Sequence, residues 1–184
     1  MKILKYTSLL ALFLLFTTLA TPSFAKIFYS KNEALELAFG KGNPVELLSL
    51  FPDKEQTAQI QKIAKVTLDS GLFSFYVGKE QGKISGYAAI ESSTVRTKPE
   101  TLMIVLSPEG NLRNVFTLAF HEPPEYQPPE RWYSLLANRT VEDMDFNKGV
   151  QGIVGATLST RSALTSVRKV MAFYEVLVKP TQKP

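Results

Sequence analysis

The sequence predicts an α+β fold, an antiparallel sheet flanked by helices, and two observations carry that prediction. Runs rich in apolar and β-forming residues, separated by short Gly and Pro turns, fill the middle of the chain. Stretches with helical periodicity stand before and after them, an order that sets helices against an antiparallel sheet instead of between parallel strands.

The chain opens on Lys2 and Lys5 with no acid, continues through an apolar run from Leu9 to Phe16, and reaches Ser23-Phe24-Ala25. Basic, apolar and small residues in that order predict a cleavable secretory signal peptide over residues 1–25. The run is short of the ~20 apolar residues of a membrane span. Residues 26–184 are then expected to form a single exported domain. Ser30-Lys31-Asn32-Glu33 has capping-box spacing and predicts a helix through Phe39. A second helix is predicted from Asp53 onward, with Ile60, Ile63, Ala64, Thr67 and Leu68 on one face.

Four strands follow. Leu72–Val77 and Ile84–Ile90 flank a turn over Gly78–Gly82, and Thr101–Leu106 and Leu112–His121 flank Ser107-Pro108-Glu109-Gly110. Strict alternation in the last strand puts Leu112, Asn114, Phe116, Leu118 and Phe120 on one face. Val115, Thr117, Ala119 and His121 fall on the other. A Pro-rich turn leads to a short helix around Pro129 to Ala137. A final helix from about Ser162 to Val178 carries the stripe Leu164, Val167, Met171, Tyr174 and Val178.

Composition excludes several chemistries. The chain has no cysteine, so it has no disulfide, thiolate metal site or cysteine nucleophile, and no lipid anchor of the kind built on an N-terminal cysteine. The formal charge of +4 includes both leader lysines, and what remains is too small for a nucleic-acid-binding surface. His121 is the only histidine, which rules out a His-rich metal site. Glu122, Glu125 and Glu130 lie unpaired in the Pro-rich stretch, and Ser159, Ser162 and Ser166 lack a Gly-x-Ser-x-Gly elbow. Both facts argue against a hydrolase.

The stretch that points to chemistry is Gly152-Ile153-Val154-Gly155-Ala156-Thr157-Leu158-Ser159-Thr160-Arg161. Gly155 and Ala156 leave the backbone nearly bare, so a bulky group can approach it. Three hydroxyls and the Arg161 guanidinium follow at the mouth of the last helix, where unpaired N–H groups and a partial positive charge suit a phosphate. A Ser/Thr-capped helix after a tight turn accounts for the same residues. Spacing alone leaves both readings open.

From Gly155 to Ala163 the chain resembles the extracytoplasmic FMN-binding domain family, which includes the flavin-carrying subunits of sodium-pumping quinone reductases and ferredoxin-linked respiratory complexes. The family pattern Asp-x-x-Ser/Thr-Gly-Ala-Thr, continued by hydroxyl residues and an Arg-Ala-like helix start, is similar to Gly155-Ala156-Thr157-Leu158-Ser159-Thr160-Arg161-Ser162-Ala163. A second similarity lies in Phe120-His121-Glu122-Pro123-Pro124-Glu125-Tyr126, a strand end and Pro turn leading to Trp132. The motif-bearing part covers about residues 84–178.

The resemblance implies an FMN-binding-domain-like fold and a carrier of electrons or component of a redox complex in preference to a self-contained enzyme. FMN would be joined through its phosphate to the Thr157 hydroxyl by a separate flavin transferase, with covalent attachment favoured over non-covalent binding. Gly155, Ala156, Ser159, Thr160 and Arg161 would surround the phosphate, and His121, Glu122 and Tyr126 would approach the flavin. Trp132 would pack beside the ring or in the core. The implied location is the periplasm of a Gram-negative bacterium or an equivalent extracytoplasmic space, with a membrane-associated redox partner. Gln151 stands where the family has Asp, and Val154 where it has Ser or Thr. Covalent FMN, non-covalent FMN and a flavin-free binding or assembly domain are the three readings these departures leave.

Overall fold

The computed structural model describes residues 26–182, so the predicted signal peptide lies outside the described residues. In chain order the elements are strand β1 (Lys26–Ile27), helix α1 (Lys31–Phe39), strand β2 (Val45–Leu50), helix α2 (Lys54–Ala64), and strands β3 (Phe73–Glu80), β4 (Lys83–Thr94), β5 (Pro99–Leu106) and β6 (Leu112–Phe120). Helix α3 (Glu130–Ser134), helix α4 (Thr157–Phe173) and a π-helical turn (Tyr174–Val178) complete the core, with short 3-10 turns between and after them. The strands form one antiparallel sheet in the order β1-β6-β5-β4-β3-β2. This is the α+β arrangement that the hairpin and helix patterns predict.

Helices cover both faces of the sheet. On one face α1 lays Ala34, Leu35 and Phe39 against Ala88, Met103, Val105 and Leu118. On the other, α2 and α4 pack Ile60, Ala64, Val167 and Met171 over Phe75, Leu102, Ile104 and Leu106. The predicted stripe of the last helix is buried throughout. Phe173 stacks on Phe73 with ring centroids 3.9 Å apart, fastening the end of α4 to β3. No helix among the described residues is long and apolar enough to cross a membrane.

Both early helices begin as their sequences predict. Ser30 and Asp53 each form a complete capping box, with Glu33 and Gln56 respectively. Helix α2 stops earlier than its periodicity suggests. Lys65 turns left-handed, Arg168 Nε donates to the Ala64 carbonyl at 2.6 Å, and Gln61 Oε1 accepts the Leu68 N–H. Thr67 and Leu68 therefore lie beyond the helix. The β3–β4 turn is also tighter than predicted: β3 runs to Glu80, and Gln81-Gly82, both at positive φ, close a two-residue hairpin.

Strict alternation in β6 fails. Between Thr101 and Leu102 and between Val105 and Leu106 of β5 the register shifts past an extra residue of β6, Leu118 and Arg113 respectively, and each such bulge changes which face the following β6 side chains take. Leu112 consequently joins Val115 in the α4-side core, while Phe116 and Leu118 pack on the α1 side. Strand β2 has no counterpart among the strands that the sequence predicts. It is an edge strand with Leu47 exposed, so it shows little inward-outward patterning.

Candidate functional site

Helix α4 begins at Thr157, five residues before the predicted start, and this brings the hydroxyl-rich segment into its first turn. A tight turn precedes it. Gly155 sits at φ +86, a conformation that L side chains rarely adopt, and Ala156 N–H donates to the Ile153 carbonyl at 3.0 Å. Nothing lies within 4 Å of where a Gly155 Cβ would stand, so the backbone there is open to approach. In contrast to α1 and α2, α4 has no side-chain cap. The first N–H groups of the longest helix consequently have no side-chain acceptor.

Gly155, Ala156, Thr157, Leu158 and Ser159 line a shallow depression of about 130 Å³, together with Arg96 and Tyr126. Thr157 is exposed, its hydroxyl donating to the Ile153 carbonyl at 3.2 Å. Ser159 is 1 % exposed, and its hydroxyl has no hydrogen-bond partner. The Arg96 guanidinium lies 4.8 Å from the centroid of the Tyr126 ring, a cation–π contact that holds a positive charge at the rim. Val154, almost fully exposed, and Leu158 present apolar surface beside the depression.

Glu122 acts on this site from behind. Its Oε1 accepts the backbone N–H groups of Arg96 (3.2 Å), Thr97 (2.7 Å) and Lys98 (2.8 Å) and the Thr97 hydroxyl (3.3 Å). These bonds, led by the Thr97 N–H, hold its carboxyl below the ordinary carboxylate range. The Glu122 carboxylate thus fixes the turn from which Arg96 reaches Tyr126. Trp132 is buried in the core, and its Nε1 donates to the Gln151 carbonyl at 2.7 Å, tying down the loop that leads into Gly155.

The sequence-derived candidates divide accordingly. Gly155, Ala156, Thr157, Ser159 and Tyr126 come together around the depression. Thr160 is fully buried, and its hydroxyl donates to the Thr157 carbonyl at 3.0 Å, inside the helix. Arg161 is exposed one turn after Thr157, outside the lining. His121 continues the sheet through its N–H to the Pro99 carbonyl at 3.1 Å, and its side chain does not line the depression. Arg96 takes the cationic place that the sequence assigns to Arg161. It stands some sixty residues away in a short inter-strand turn and carries no local motif, so only the tertiary fold reveals it.

Compared with known proteins, the chain matches no family model and no curated protein.

Proposed function

We propose that this chain is an exported FMN-binding electron-transfer protein whose phosphate seat is the uncapped start of α4, with Thr157 as the point of attachment. The observation that carries the reading is the conjunction at that helix end. An N-terminus without a side-chain cap opens onto a depression lined by Ser159, whose buried hydroxyl is unpartnered, and by Arg96, whose guanidinium is held over Tyr126. Helix N–H groups, a hydroxyl donor and a cation are the donor set that a phosphate monoester or diester takes up. The exposed Thr157 hydroxyl is accessible for esterification, and Val154 and Leu158 offer apolar surface to a flat ring. When bound, FMN would supply the electron-accepting chemistry, while the protein would bind its phosphate, orient it and exclude water.

The partners that follow are a redox protein at the membrane and a flavin transferase for maturation. A flavin-free binding domain is the second reading, favoured by Gln151 and Val154 at the motif's Asp and Ser/Thr places and by the small volume of the depression. Titration of the purified chain with FMN and with riboflavin separates the two. The proposal expects FMN to bind and riboflavin, which lacks the phosphate, to bind far more weakly. Equal affinity for both, or for neither, overturns the phosphate seat.

A further inference from the structure

Below the early turns of α4 lies a group of polar side chains that the seat does not use. Glu100 on β5 is 0 % exposed, and neither of its carboxylate oxygens has a hydrogen-bond partner. It belongs to none of the ion pairs found among the described residues. Its register partner on β4 is Ser93, whose hydroxyl shares a 2.7 Å hydrogen bond with that of Ser162 on α4. Both hydroxyls lie near the carboxylate and soften its burial without meeting it at full hydrogen-bond geometry. Ser159, which lines the depression, stands one helical turn before Ser162. The seat and Glu100 are therefore linked through one turn of a single helix.

The groups around Glu100 provide it with no compensating charge. From α3 comes Tyr133, whose hydroxyl is buried and unpartnered and whose ionisation is opposed by burial first and by the Glu100 charge second. The Thr117 hydroxyl of β6 lies beside Tyr133. From α4, Lys169 is engaged with Glu91 of β4 at 2.8 Å, and Arg161 is exposed. Arg96 lies over Tyr126 at the rim. An isolated buried carboxylate keeps its proton in preference to standing charged in a low dielectric, and burial pushes Glu100 up to about 7. A second negative charge at the mouth of α4 opposes its ionisation further.

We infer that Glu100 couples occupancy of the seat to protonation, holding its proton while a phosphate group sits at the start of α4 and releasing it more readily when the seat is vacant. The inference rests on the FMN-phosphate reading of that seat. On binding, a solvent proton adds to one Glu100 carboxylate oxygen and no bond in the ligand breaks. Linkage makes the effect reciprocal: raising pH through the Glu100 midpoint weakens anion binding by the factor by which the anion favours the protonated acid. For charges on the order of 10 Å apart at an effective dielectric of about 20, that factor is roughly tenfold.

The test uses full-length protein labelled with carbon-13 at the glutamate carboxyls, titrated by NMR from about pH 5 to about pH 9 with and without saturating FMN. The Glu100 midpoint is expected to rise by about one pH unit when FMN is bound. FMN affinity should fall about tenfold more across that range in the wild type than in Glu100→Gln, the ionisation of the FMN phosphate being common to both. A midpoint that bound FMN leaves unmoved overturns the inference alone, as does the same pH dependence of affinity in both proteins. Failure of the wild type to bind FMN at any pH overturns the functional reading and the inference with it. Should Glu100→Gln not fold, the wild-type midpoints decide by themselves.

Discussion

Replacing Glu100 by Gln should remove most of the loss of stability on going from mildly acidic to mildly alkaline pH. The side chain is fully buried, and its carboxyl is raised from 4.5 to about 7, chiefly by burial. Below about pH 4.5 the folded and unfolded chains both hold the proton, so the group's contribution is intact there. As pH rises toward 7 the unfolded chain releases the proton first, and folding stability falls. Above the folded midpoint the loss is complete, at about 3 kcal/mol for the wild type. Glutamine has nearly the same shape and does not titrate, and any cost of its buried amide applies equally at every pH. Urea unfolding followed by fluorescence of Trp132, the single buried tryptophan, gives stability at successive pH values. Wild type should lose about 3 kcal/mol between pH 4.5 and about 8, and Glu100→Gln only a small fraction of that. A residual slope of the same sign is expected from Glu91, which burial also raises. Parallel curves for the two proteins would refute the burial argument.

Other substitutions probe the elements that shape the site. Trp132→Phe leaves the Gln151 carbonyl without its donor and should destabilise by about 1–3 kcal/mol in urea unfolding followed by far-UV circular dichroism, loosening the loop before Gly155. Gly78→Ala places a Cβ 2.2 Å from the Phe39 ring; forcing α1 away from β3 should cost about 1–3 kcal/mol by thermal or urea unfolding. Glu122→Gln removes the charge that gathers three backbone N–H groups, so FMN affinity should fall through misplacement of Arg96, measured by fluorescence quenching. Arg96→Ala should lower FMN affinity while leaving riboflavin binding unchanged, with a weaker salt dependence than the wild type.

Much of the architecture is readable along the chain because the local signals are strong. Ser30 and Glu33 form the capping box their spacing promises, and the stripe from Leu164 to Val178 is buried where periodicity places it. What escapes local reading depends on partners distant in sequence. Helix α2 stops at Ala64 because Arg168, more than a hundred residues on, takes its last carbonyl. The faces of β6 exchange at bulges that only pairing with β5 creates. At the site, the tight turn at Gly155 is legible, since a positive-φ glycine has a sequence signature, whereas the helix start at Thr157 lies five residues before the predicted one because no side-chain cap marks it. Glu122 reads as a pocket acid because nothing in Phe120-His121-Glu122-Pro123 shows that its carboxylate is already engaged by the Arg96–Lys98 backbone. Glu100 lies unmarked within an ordinary strand sequence, and its burial without a partner emerges only when α4 covers the sheet.

Everything proposed for the seat depends on the first residue of α4 receiving a phosphate-linked flavin. Co-expression with a flavin transferase, followed by intact mass and peptide mapping, tests it most directly. An FMN-sized increment is expected on the peptide containing Thr157, and its loss in Thr157→Ala with the fold retained. An unmodified wild-type chain, or an increment that persists in Thr157→Ala, would contradict it.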